Sequence, residues 1–266
     1  MKVVLFCGGL GMRLHPSTEN IPKPLVTVGE KPLIWHIMKY YSSFGLKDFI
    51  LCLGYKGEEI KRYFLDYDEC LSNDFVLSNG GKDRTLIGNF EDDWRITFAE
   101  TGINSNIGQR LKSVQKYLKG EKIFLANYSD GMTDLNLTNQ MDFFTKSNRI
   151  GCFLSVKPSS SYHALTSDSK GAVLSITPIS QSNLRINGGY FIFKDKIFHY
   201  IKNGEDLVEE PFQRLIKQQQ LVAYEFNGFW AGMDTFKDKQ RLDEMYANGK
   251  APWQVWLDYA TTKVIQ

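Results

Sequence analysis

The chain has 266 residues, 42% apolar and 23% charged, which excludes disordered and collagen-like classes and leaves one large domain or one domain with a modest appendage. No apolar run reaches the ~20 residues of a membrane helix, and the N-terminal residues read as Gly-rich loop chemistry rather than a signal segment, so a cytoplasmic protein without membrane contact is expected. Lys plus Arg exceed Asp plus Glu by 32 to 30, no footprint for nucleic acid, and the four cysteines have no zinc-closing spacing.

The β-branched run at residues 2–6 predicts a strand that breaks at once into glycines, followed by a helix over 32–44. A second strand is expected at 49–53 and a helix at 57–65, where Ile60, Tyr63 and Phe64 recur at helical spacing. Strands at 95–98 and 123–126 and helices at 109–118 and 136–148 continue the alternation. Strand-helix alternation of this kind predicts an α/β fold, a mostly parallel sheet flanked by helices, with ligands beyond the carboxyl ends of the strands. From residue 150 onward strands dominate, at 152–156, 172–176, 189–193 and 221–226, with helices near 211–219 and 235–247. Residues 66–93 read as a long loop or hairpin insertion, and residues within 150–230 as a smaller acceptor-side lobe.

The first strand leads into Gly8-Gly9-Leu10-Gly11-Met12-Arg13-Leu14, and Lys23 follows between Pro22 and Pro24. A Walker loop would need Lys and Ser/Thr after the last glycine, and a dinucleotide fingerprint would need Gly or Ala at Leu14, so neither motif fits. What remains is either a loop that simply turns the chain or one whose backbone amides approach a polyphosphate, with Arg13 and the proline-braced Lys23 supplying charge. Asp130, after the strand at 123–126, and Asp234, ahead of the helix at 235–247, are two carboxylates that could share Mg²⁺ with phosphate oxygens. Taken alone, a turn before Gly131 and a helix N-cap explain them as well. His36 reads as packed within its helix, and no Ser/His/Asp or Cys/His constellation is present.

The GGxGxRL pattern, the segment from Pro22 through Met38, Gly108-Gln109-Arg110-Leu111, Tyr128-Ser129-Asp130-Gly131, Asn187-Gly188-Gly189 and Met233-Asp234-Thr235 together resemble the sugar-phosphate nucleotidylyltransferases, nearest the glucose-1-phosphate cytidylyltransferase subgroup. The likeness runs over residues 1–256 as one Rossmann-like nucleotidyltransferase domain, leaving 257–266 as a tail. It implies transfer of CMP from CTP to a phosphorylated acceptor, a sugar 1-phosphate or a related phosphate or phosphonate, with release of pyrophosphate, in activated-sugar or surface-glycan synthesis. It further implies Gly8, Gly9, Leu10, Gly11, Met12, Arg13, Lys23 and Arg110 on the nucleotide, with Arg13 and Lys23 catalytic. Asp130 and Asp234 become the Mg²⁺ pair, Tyr128, Arg185, Asn187 and Gly188 face the acceptor, and the chain is a homo-oligomer. A nucleotide-binding sensor or subunit without turnover is the competing reading.

Three departures from the family pattern fall on the acceptor side. The usual Glu-Lys-Pro is absent from Leu174-Ser175-Ile176-Thr177-Pro178-Ile179, Gly-Asp-Gly reads Ser129-Asp130-Gly131, and Arg-Phe-Gly-Ala reads Ser161-Tyr162-His163-Ala164. A missing buried Lys–phosphate contact costs about 2–3 kcal/mol unless another cation replaces it. Arg185, Lys157 and His163 are the available substitutes, and the departures predict an apolar wall near Ile179 that disfavours glucose 1-phosphate. The aromatic C-terminal segment from Trp253 either caps its own core or packs against a neighbour.

Overall fold

Strand β1 (Lys2–Phe6) sets the architecture because its alternate side chains serve two cores. Val3 and Leu5 enter a cluster with Ile34, Tyr41 and Trp253, while Val4 and Phe6 enter another with Leu111, Phe124 and Phe193 on the opposite face. The computed structural model describes residues 1–9, 21–66, 75–86, 93–159 and 162–257.

Chain order then fixes where a ligand can go. After two short strands, β2 (Thr27–Val28) and β3 (Lys31–Pro32), helix α1 (Leu33–Ser43) carries the chain to β4 (Asp48–Leu53), parallel to β1. Helix α2 (Gly57–Leu65) follows, then an antiparallel hairpin of β5 (Phe75–Ser78) and β6 (Asp83–Leu86). β7 (Arg95–Glu100) pairs in parallel with β4. Helix α3 (Ile107–Val114) then returns the chain across β1 to β8 (Ile123–Asn127), parallel to β1 on its other edge. The carboxyl end of β1 is therefore the point where successive crossovers diverge, the place where open α/β sheets bind ligands.

After β9 (Gly131–Thr133), helix α4 (Leu137–Ser147) leads to β10 (Gly151–Val156). β11 (His163–Ser167) and β12 (Val173–Pro178) form a separate hairpin. β13 (Ile186–Asn187) and β14 (Phe191–Lys194) both lie antiparallel to β10. The strand expected at 189–193 therefore begins only at Phe191: Gly189 and Tyr190 take φ of 73° and 48° and bulge out between β13 and β14. Helix α5 (Glu210–Lys217), β15 (Leu221–Glu225) parallel to β10, β16 (Trp230–Gly232) antiparallel to β9, and helix α6 (Phe236–Ala247) complete the chain. The helix expected at 109–118 is an α-helix only to Val114 and a 3-10 turn from there to Leu118.

Two side-chain readings are settled by packing. His36 is buried, with Nε2 2.9 Å from the Val28 carbonyl. Trp253 is buried against Phe229 and His36, and Trp256 meets Trp35 edge-on, so this segment caps its own core.

Candidate active site

A cavity of about 350 Å³ opens at the carboxyl ends of β1 and β8. Phe6, Cys7, Gly8 and Gly9 line it from β1, and Tyr128, Ser129 and Asp130 from the turn after β8. Lys23 and Asp234 close one wall; Ser105, Asn106 and Asp206, none of them singled out from sequence, belong to the remainder.

Lys23 begins a 3-10 turn, Lys23–Leu25, braced by extended Pro22 and buried Pro24. Its Nζ lies 3.0 Å from an Asp130 carboxylate oxygen and 2.7 Å from one of Asp234. Burial alone would pull the ammonium's pKa down, but the two carboxylates outweigh it and hold the value above the ordinary range. The carboxylates meet because of strand register: Gly131 faces Gly232 across the β9–β16 pair, and Met233 N–H donates to the Asp130 carbonyl at 2.8 Å. Residues 130 and 234 thereby emerge at the same end of the same ribbon.

Neither local explanation accounts for both aspartates. The N-cap of α6 is Thr235, in a capping box with Asp238, which leaves Asp234 with no cap to serve. The turn at Asp130 is made by Ser129, buried at φ 63°, a conformation that favours glycine by about 1–2 kcal/mol. Ser129 N–H donates to Asn127 Oδ1 at 2.8 Å and Cys7 Sγ donates to Ser129 Oγ at 3.6 Å, and these contacts hold the serine where the family pattern has glycine. Burial pushes the Cys7 thiol up to about 12, so it is a packed side chain rather than a nucleophile.

The donor set fits a hard divalent cation. Two carboxylate oxygens converge on one cationic position, now held by the Lys23 ammonium, and no cluster of three or more His, Cys, Asp or Glu occurs among the described residues. An ion held by only two protein carboxylates completes its shell from water and phosphate oxygens, the coordination Mg²⁺ favours.

Arg110, expected on the nucleotide, lines the cavity and also braces its walls. Its Nη1 donates to the Leu53 carbonyl (3.2 Å), Thr101 Oγ1 (2.7 Å) and the Gly102 carbonyl (2.9 Å). Its Nη2 donates to the Gly8 and Ile103 carbonyls at 2.9 and 3.2 Å. The buried guanidinium thus ties the end of β1 to the loops after β4 and β7, and a Cβ on Gly8 would lie 2.1 Å from Nη1. Gly8 is required by the arginine. Gly9 has open space at its Cβ position, as a backbone approaching a ligand needs. Leu10, Gly11, Met12 and Arg13 lie outside the described residues.

Arg185, expected on the acceptor phosphate, is engaged within the fold. It donates through Nε to Ser155 Oγ (2.9 Å), through Nη2 to the Ser155 and Phe226 carbonyls (2.7 and 2.8 Å), and through Nη1 to Asn227 Oδ1 (3.1 Å). Tyr128 accepts from Asn187 Nδ2 at 3.1 Å, and the Gly188 carbonyl accepts from Trp230 Nε1 at 3.0 Å. Of the four acceptor-side residues, Tyr128 alone lines the main cavity. The stretch from Leu174 to Pro178 forms an exposed strand of the β11–β12 hairpin and Ile179 is half-buried beside it, so the apolar wall expected there is not part of that cavity. Lys157 instead lines a second cavity of about 300 Å³, together with Asn227 and Trp230.

A doubly flanked, mainly parallel sheet with a cation and two carboxylates at its switch point defines an α/β protein with its cavity where such sheets bind ligands. The chain belongs to the nucleotidyl transferase family, which matches it over residues 2–259. It is 38% identical over 259 residues to the glucose-1-phosphate cytidylyltransferase of Salmonella typhi, covering 96% of this chain and 100% of that one. It is 26% identical over 246 residues to the mannose-1-phosphate guanyltransferase of Candida albicans, covering 90% of this chain and 62% of the other. Among solved structures, HddC from Yersinia pseudotuberculosis superposes with a TM-score of 0.64 at 20% identity, over 92% of this chain and 99% of that one. A UDP-glucose pyrophosphorylase complexed with UDP-glucose does so with a TM-score of 0.66 at 13% identity, over 93% and 98%.

Proposed function

We propose that the protein transfers CMP from CTP to a sugar 1-phosphate, releasing pyrophosphate. The observation that carries this reading is the Lys23 ammonium held between Asp130 and Asp234 at the mouth of a cavity that Gly8 and Gly9 enter. An oxygen of the acceptor phosphate attacks the α-phosphorus of CTP, and the bond from that phosphorus to the bridging oxygen of the β-phosphate breaks, so pyrophosphate leaves with the electron pair. A phosphate monoester with a second pKa of about 6 is largely ionised at neutral pH, so the attack needs no general base. The protein's work is alignment and charge neutralisation. Lys23 supplies a positive charge to the phosphates, Gly9 a close backbone approach, and Arg110 fixes the Gly8 carbonyl at the end of β1. Asp130 and Asp234 would hold Mg²⁺, which neutralises phosphate charge when bound.

The protein is read as cytoplasmic, where nucleoside triphosphates are kept, and as a homo-oligomer. Exposed Leu165, Val173, Leu174 and Ile176 on the β11–β12 hairpin support self-association.

Pyrophosphate release with CTP, Mg²⁺ and a panel of phosphorylated sugars, polyols and phosphonates tests the proposal. Release with at least one sugar 1-phosphate is expected. CTP binding without release for any acceptor would favour the non-catalytic nucleotide-binding reading.

A further inference from the structure

A third carboxylate reaches the cavity, and the reaction as described does not use it. Asp206 lies on the loop between the 3-10 turn Asp195–His199 and α5. The loop is fastened at each neighbouring residue. Asn106 Nδ2 donates to the Gly204 carbonyl at 2.9 Å, and Glu205 is paired through both carboxylate oxygens with Arg214. Leu207 is fully buried, and the Glu205 carbonyl presses so closely on α3 that a Cβ on Gly108 would lie 2.2 Å from it. Between these anchors Asp206 is half-buried, with Oδ1 accepting from Val208 N–H at 3.2 Å. The Tyr128 phenol is pushed above its ordinary pKa by burial first and then by the charges of Asp130 and Asp206.

The charge environment separates Asp206 from the other two carboxylates. Asp130 and Asp234 share Lys23, whereas no cation among the described residues is ion-paired with Asp206. A fixed carboxylate repels a triphosphate, so the part of the substrate beside it is uncharged and offers N–H or O–H. Its loop docks on the first turn of α3, the helix whose Arg110 grips Gly8, which places Asp206 in the cavity that Gly8 and Gly9 line. Arg185 and Asn187 are fastened instead to β10, the end of β15 and Tyr128.

We propose that Asp206 is a specificity-determining residue that accepts a hydrogen bond from an uncharged donor of the bound nucleoside, the exocyclic amino group of cytosine or a ribose hydroxyl. This rests on the nucleotidyl-transfer reading above. A carboxylate accepts from the cytosine amino group and opposes the carbonyl that uracil presents at the same position.

Full-length wild type, Asp206→Asn and Asp206→Ala are compared by calorimetric binding and pyrophosphate release with CTP, UTP and 2′-deoxycytidine triphosphate. Asparagine retains an acceptor for Val208 N–H, so this variant keeps the loop, and its melting temperature checks that it does. Wild type should prefer CTP over UTP, or over the deoxynucleotide, by about tenfold, which corresponds to about 1.4 kcal/mol. If the amino group is the donor, Asp206→Asn shifts the CTP-to-UTP ratio toward UTP because its amide can donate to uracil. If a ribose hydroxyl is the donor, Asp206→Ala abolishes the preference for CTP over its deoxy form and Asp206→Asn largely keeps it. Equal use of all three nucleotides by wild type, unchanged ratios in both variants, or an effect confined to the KM of the acceptor would each overturn the assignment. Absence of any CTP-dependent signal in wild type would overturn the nucleotidyl-transfer reading itself, a result distinct from those.

Discussion

The wall of the cavity at Lys23 and the β11–β12 hairpin are both places where family resemblance pointed to chemistry, and they are built in opposite ways. Lys23 is mostly buried, bridges two carboxylates, and stands on a proline-braced turn packed against α1. The hairpin is exposed along nearly its whole length and, among the described residues, its strands pair only with each other. A charge earns rate only where its position is fixed before the substrate arrives, because preorganised dipoles and charges cost no rearrangement in the transition state. The lost Glu-Lys-Pro pattern therefore falls on a surface element, whereas the positions that hold charge at the switch point are kept.

Substitutions on each side sharpen the contrast. Lys23→Ala should lower pyrophosphate release by about 10²–10³-fold, the range for removing one preorganised charge-stabilising group. A change of less than about threefold would mean that the wall is structural. Asp234→Asn should abolish most turnover while moving the melting temperature by no more than about 2 °C, since Thr235 already caps α6 and a surface change is worth about 0.5 kcal/mol.

Arg110→Ala should act mainly on stability. It strands the Gly8, Gly102 and Ile103 carbonyls and opens a cavity, a loss of about 2–4 kcal/mol that thermal unfolding would show as about 5–10 °C.

Acid should weaken the α1 packing through His36. Burial lowers its pKa below the ordinary 6.5, so as pH falls through 6.5 the unfolded chain takes up a proton that the folded one refuses. Melting temperature should therefore fall between pH 7 and 5.5, and less steeply in a folded His36→Gln variant. The smallest effect is expected at the hairpin, where Ile176→Ser should leave turnover within about twofold; if copies meet there, light scattering of this variant will show a smaller mass.

The sheet was legible because its strands are short apolar runs, β1 and β4 broken by glycine just past their ends, and the helix at Gly57–Leu65 was readable to the residue from its spacing. Strand 189–193 was misplaced because a bulge driven by Gly189 and Tyr190 leaves no mark on hydropathy. In the site, Lys23, Asp130 and Asp234 were legible as charged residues at strand and loop ends. Arg110 and Arg185 were legible as cations but not in their partners, since backbone carbonyls from distant strands carry no sequence signature. Asp206 was invisible for the complementary reason: in Gly204-Glu205-Asp206 it looks like any acidic surface turn, and only the docking of that loop on Gly108 brings it to the cavity.

Phosphorus NMR of one reaction mixture tests the central claim most directly, because it follows the α-phosphorus of CTP and the acceptor phosphate together. With enzyme, CTP, Mg²⁺ and a sugar 1-phosphate, the predicted result is loss of both signals with growth of pyrophosphate and of a new diphosphate diester in equal amounts, absent with Lys23→Ala. Conversion of CTP to CMP and pyrophosphate with the acceptor untouched, or bound CTP that never turns over with any acceptor, would contradict it.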